Sequence, residues 1–160
     1  MVHATIIAWR SAVLVFLTHR MALPVLKLVR KPEIFPYTAE ELNLFENGTL
    51  GKELHTFLQL NKLRLLPYYA RHDIKHLLLD YCTTDEGEGC LQCFMLGNGH
   101  LSFPVIATVA YCFFTMPEYW HLFREAYRRG QLAPAISNWK WFEILGMETQ
   151  VLQNKINALT

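Results

Sequence analysis

Tyr68-Tyr69-Ala70-Arg71-His72-Asp73-Ile74-Lys75-His76-Leu77-Leu78-Leu79-Asp80-Tyr81 reads as one helix, and the fold is worked out from it. Pro67 can open it, because proline is tolerated in a first helical turn. Tyr69, His72, Asp73 and His76 fall near one face, continued by Leu77 and Asp80. Leu78 and Leu79 lie elsewhere, so the helix is apolar over much of its surface and belongs at the centre of the fold. His72 and His76, four residues apart, stand one above the other. Glu88 follows after eleven more residues, enough to fold a second helix back on the first. His72, Asp73, His76 and Glu88 could therefore converge on one divalent cation, with zinc, iron, manganese and magnesium all open.

Downstream, Thr83-Thr84-Asp85-Glu86 is a cap followed by early acids, so Glu88 lies in the first turn or two of a helix running to Leu96. Gly97-Asn98-Gly99 stops it. Leu101 to Phe114 forms the next helix, with Pro104 in its first turn. From Gly89 to Pro117 no Asp, Glu, Lys or Arg occurs, a run of twenty-nine residues. That length alone would admit a membrane span. The Gly-Asn-Gly-His interruption and Pro104 favour two short buried helices around a turn, with a lipid-facing hairpin as the alternative. Glu118 to Arg129 is amphipathic, with Tyr119, Trp120, Phe123 and Tyr127 as an aromatic stripe beside Arg124, Arg128 and Arg129. It reads either as a core stripe with a solvated basic edge or as a membrane-surface helix. Gly130 is expected to cap it. Leu132 to Ser137 is a connector, and a last helix is expected from Asn138 to Leu159.

Upstream, Thr49 to Leu60 is a helix with Leu50, Leu54, Phe57 and Leu58 on one face. Thr38-Ala39-Glu40-Glu41 starts a shorter one that Asn47-Gly48 ends. Lys31 to Pro36 is a connector. Ala4 to Val29 is helical and kinked at Pro24. Its longest uncharged run, between Arg10 and His19, has eight residues, against roughly 20 needed to span a bilayer. No alternating strand pattern and no repeat occurs. The expectation is an all-α, single-domain bundle of about seven helices over residues 1–160. Residues 1–30 form an N-terminal helical region and 35–159 the core, with an apolar cavity beside the metal site.

Composition fits this. Of 160 residues 52% are hydrophobic and 18% charged, with a formal net charge of +1. Such a chain is greasier than an average soluble domain, and its balance gives no reason to expect a nucleic-acid partner. Cys82, Cys90, Cys93 and Cys112 include one C-x-x-C, but no second pair completes a zinc site and the pair lies in an apolar helix, so core packing is expected. No secretory signal is evident, and reduced thiols in the cytoplasm are the default. A His72/His76 pair on a helix can also be purely structural. Against that, burying carboxylates on greasy helices is costly unless a cation compensates them. The His-Asp doublet also resembles HD-domain phosphohydrolases, for which His55 could supply the upstream histidine. Those need a later aspartate, and none follows Asp85.

The complete pattern H-D-x-x-H-x11-E resembles the signature of the coenzyme-Q-biosynthesis family usually called Coq-four, with His72, Asp73, His76 and Glu88 at the motif's spacing. Gly48-Thr49-Leu50-Gly51 is similar to that family's Gly-Thr-aromatic-Gly helix entry. Arg71 before the doublet, Gly87 before the glutamate and the Trp139/Trp141 region add looser matches over Phe35 to Leu159. The resemblance implies a divalent metal held by these four residues beside a channel for a polyprenyl quinone precursor or other isoprenoid lipid. It further implies peripheral membrane contact, other quinone-biosynthesis proteins as partners and a possible homodimer. The family is credited with oxidative removal of a ring carboxylate at C1, and was long viewed as an organiser of an enzyme complex. Arg71 would meet the substrate carboxylate, or make a plain surface ion pair. The shorter chain without an evident targeting peptide suits a bacterial member on the inner face of the cytoplasmic membrane.

Overall fold

A computed structural model describes residues 9–14, 16 and 34–158. Among these the protein is helical and holds no strand, as expected. Of the expected Ala4–Val29 helix, residues 9–14 are α-helical and residue 16 is π-helical; its other residues and the Pro24 kink lie outside the described residues.

Contacts group the chain into two compact units. One comprises Glu33–Thr83 and Leu132–Thr160 and contains α1 (Ala39–Asn43), α2 (Leu50–Leu60), α3 (Ala70–Leu79) and α7 (Thr149–Asn157). Thr38 caps α1: its hydroxyl accepts from the Glu41 amide while the Glu41 carboxylate accepts from the Thr38 amide. That reciprocal pair satisfies two helix-terminal donors. Thr49 caps α2, and Leu50, Leu54 and Leu58 are buried along its inner face. Each such leucine contributes roughly 1.5–3 kcal/mol by leaving water. α3 packs against both α2 and α7. It begins at Ala70 rather than at Pro67, because Pro67–Tyr69 form a turn before the helical ladder closes.

The last helix is shorter than expected. It covers only Thr149–Asn157, and residues 137–148 form successive turns. Those turns are held by the start of α2. The Leu50 amide donates to the Met147 carbonyl at 2.9 Å and the Gly51 amide to Leu145 at 2.8 Å. In return Thr149 donates to Gly48, whose φ of +82° lies in the region that favours glycine. The helix-terminal N–H groups that would otherwise lack partners thus bind a distant segment, and the segment gives up helix to reach them.

The second unit, residues 1–32 and 84–131, contains α4 (Asp85–Gly97), α5 (Phe103–Thr115), a 3-10 turn (Pro117–Tyr119) and nearly all of α6 (Trp120–Leu132). Thr84 caps α4 through the Gly87 amide. Arg10 reaches from the 9–14 helix to the Glu118 carboxylate at 2.6 Å and to the Thr115 carbonyl at 3.2 Å. Ser11 donates to Asp85.

Two expectations fail here. Gly130 does not cap α6; it lies inside the helix and is buried. A Cβ on Gly130 would collide with the Phe94 carbonyl oxygen, and one on Gly97 with that of Tyr127. The glycines let the backbones of α4 and α6 touch, and the Asn98 side-chain amide donates to the Gly130 carbonyl across the crossing. A Gly near the end of a helical pattern is read as a stop, but its missing side chain serves packing here. The second failure concerns α5, which is not buried all round. Only Val105, Thr108 and Cys112 turn inward, at i, i+3 and i+7, while Phe103, Ile106, Phe113 and Phe114 are exposed. An all-apolar sequence carries no polar face to say which side meets water. The aromatic stripe of α6 divides similarly: Phe123 is buried, whereas Trp120 is exposed, stacks on Phe113 at 4.7 Å and donates its indole N–H to the Phe113 carbonyl. No described helix is long and apolar enough to cross a membrane.

Candidate metal centre

His72 and His76 lie one turn apart on α3, with ring centroids 4.7 Å apart. The Tyr69 ring lies beside that of His72, also at 4.7 Å between centroids. His76 is only 2% exposed. Its Nδ1 lies 2.9 Å from the Tyr81 carbonyl oxygen. A carbonyl can only accept, so Nδ1 carries the hydrogen and the lone pair of the neutral ring is on Nε2. This carbonyl is in reach because α3 ends on Asp80 in the left-handed conformation, φ 57°, ψ 43°. That residue turns the chain back over the last helical turn, and the Tyr81 amide also bonds the His76 carbonyl at 3.1 Å. A histidine whose second nitrogen is fixed by a carbonyl is the usual arrangement for a metal ligand.

Glu88 occupies the first turn of α4 with Asp85 and Glu86, where the helix dipole favours negative charge. It is 8% exposed, and Gln92, one turn on and equally buried, donates its side-chain amide to Glu88 Oε1 at 2.8 Å. Among the described residues, ligand atoms of His72, His76 and Glu88 lie within 4.8 Å of one another, and this group could hold a metal ion. The donor set fits: two imidazoles and one carboxylate, mostly buried, are ligands of intermediate hardness for zinc or for iron and manganese.

Asp73, the fourth residue of the motif, is not in this group of three. It is buried, and its Oδ1 lies 3.8 Å from His72 Nδ1, a charge contact too long for a hydrogen bond. Arg71, the expected partner of a substrate carboxylate, places its guanidinium over the Phe142 ring at 5.8 Å. His55, the upstream histidine of the phosphohydrolase pattern, sits on α2 beside the Gln59 amide at 3.3 Å and takes no part in the group.

Gln92 and the Tyr81 carbonyl escaped the sequence reading. Gln92 could have been noticed as the one amide in the apolar run of α4, four residues after Glu88. Nothing in the sequence marks a backbone carbonyl. All four cysteines are free; Cys90, Cys93 and Cys112 are buried as core residues, whereas Cys82 is exposed. Burial, with Cys90 nearby, pushes the Cys93 thiol up to about 12. Burial first, then Cys93, Glu88 and Asp85, does the same for Cys112.

No protein-family model matches the chain, and no curated protein does. Among solved structures, the chain is similar to a crystal structure from Nostoc punctiforme PCC 73102 named a "Putative ubiquinone biosynthesis protein". The two are 20% identical, with a TM-score of 0.61 over 78% of this chain and 70% of that one. At that identity the likeness establishes a shared fold.

Proposed function

We propose that this protein belongs to the Coq-four family of ubiquinone biosynthesis and binds a divalent metal through His72, His76 and Glu88, next to a polyprenylated aromatic acid. The carrying observation is the meeting of these three ligand atoms within 4.8 Å, with the His76 ring fixed by the Tyr81 carbonyl. The shared fold with a protein named for ubiquinone biosynthesis supports the pathway.

A bound metal would act as a Lewis acid toward a substrate carboxylate or phenolic oxygen. The chain's own residues hold the ring of His76 in one tautomer, keep Glu88 in place and shield both from water. Asp73 supplies negative charge beside His72. Arg71 is the candidate for pairing with the ring carboxylate. The reaction proposed is oxidative removal of the C1 carboxylate as carbon dioxide, with a hydroxyl taking its place; dioxygen would be the external oxidant, giving one oxygen atom to the ring and the other to water with two electrons from an external reductant. The apolar outer face of α5, with Phe103 and Phe114 strongly exposed, suits contact with isoprenoid tails and peripheral contact with the membrane that carries them.

The test is metal analysis of the purified protein combined with turnover of a C1-carboxylated prenylphenol. One metal per chain, lost in His76→Ala and in Glu88→Ala, is expected. Full occupancy in both variants would sink the site. A metal-loaded protein that binds the prenylphenol without converting it assigns the chain the role of a lipid-presenting scaffold.

A further inference from the structure

Resting on the metal reading above, we propose that Gln92 is a positioning residue that limits Glu88 to binding the metal through a single carboxylate oxygen. Gln92 is the only amide side chain between Cys90 and Met95 on α4, and it is 9% exposed in a stretch where Leu91, Cys93, Phe94 and Met95 are also buried. A primary amide buried among apolar side chains is costly unless its hydrogen bonds are met. The Gln92 Nε2–H group meets this by donating to Glu88 Oε1 at 2.8 Å, one helical turn back. The contact lies wholly within one helix, so the two side chains stay in register with each other.

The chemistry follows from what an amide does to a carboxylate. Gln92 donates a hydrogen bond without adding charge, so Glu88 keeps its full negative charge for a cation. The bond draws electron density from Oε1 and fixes the carboxylate plane. Ligation through Oε2 alone preserves that bond, whereas ligation through both oxygens would weaken it. One-oxygen ligation leaves a coordination position for substrate that a chelating glutamate would fill. Partners of this kind typically alter metal affinity by about 10–100-fold.

The experiment uses the full chain, Co2+ as the probe and Gln92→Met, which keeps the length of the side chain and removes the donor. Affinity is measured by competition with a chromophoric chelator, and coordination by visible absorption. Wild type is expected to bind one Co2+ per chain. Gln92→Met is expected to bind about 10–100-fold more weakly, with a weaker visible band as glutamate takes a further position. Gln92→Met in a Glu88→Gln background is expected to change affinity no further, because the amide acts through the carboxylate. A merely structural Gln92 would lower affinity in both backgrounds, which overturns the proposal. A Gln92→Met protein with wild-type affinity and spectrum also overturns it while leaving the metal site standing. Wild type that binds no Co2+ overturns the metal reading and the role of Gln92 together. If Gln92→Met fails to fold, Gln92→Leu replaces it: loss of the donor without a new ligand must again change the Co2+ band, and an unchanged band refutes the role.

Discussion

Replacing Gly130 by alanine tests how α4, the helix that carries Glu88 and Gln92, is held. A Cβ at Gly130 would collide with the Phe94 carbonyl oxygen and stand 3.0 Å from its carbonyl carbon and 3.1 Å from the Asn98 amide nitrogen. These are backbone atoms already committed to one another, since the Asn98 amide donates to the Phe94 carbonyl at 2.9 Å. They cannot swing aside as a side chain would, so α4 and α6 must part. Overpacking of this kind costs about 1–3 kcal/mol, and a backbone collision belongs at the upper end. Separation also loses the bond from the Asn98 side chain to the Gly130 carbonyl at 3.1 Å, worth about 1 kcal/mol. Alanine's better helix propensity returns about 1 kcal/mol. The expected net loss is about 3 kcal/mol, a fall in Tm of about 6–12 °C for a chain of this size. Urea unfolding followed by far-UV circular dichroism measures it. Gly146→Ala is the control: no atom lies within 4 Å of its added Cβ, so a change within about 0.5 kcal/mol is expected. A Gly130→Ala protein as stable as the control would refute the close crossing.

Asp80 holds the left-handed turn that presents the Tyr81 carbonyl to His76. Asp80→Gly should leave stability unchanged or slightly raised, whereas Asp80→Val should cost about 1–2 kcal/mol in urea unfolding, because a β-branched residue resists positive φ. Equal stability of the two would count against that turn. The cysteines give a pH prediction. Cys93 and Cys112 are raised from an ordinary value of 9.0 to about 12, so the unfolded chain releases these protons first. Their contribution to stability is complete below pH 9 and is lost as the pH rises from about 9 to 12. Unfolding midpoints across that window check it, and a flat profile would contradict it. At neutral pH a thiol reagent should label exposed Cys82 and spare Cys93 and Cys112, read by mass spectrometry.

The sequence by itself determined which segments are helical around the site and which residues could serve it. Period and capping are local properties, so Thr38, Thr49 and Thr84 announce their helices and the four-residue spacing of His72 and His76 puts both on one face. What the tertiary structure alone decided are matters of reach between distant backbones. It assigned Gly130 to a helix crossing instead of a cap, and gave residues 137–148 to the amides of α2 instead of to a longer helix. It left half of α5 exposed, because an all-apolar helix has no sequence mark for its outer face. At the candidate site, the doublet His72-Asp73 could not say which of its members joins the group of possible ligands with His76 and Glu88. The answer depends on the direction each side chain leaves α3, and His76 is fixed by a carbonyl that is present after every residue and so leaves no trace in the sequence.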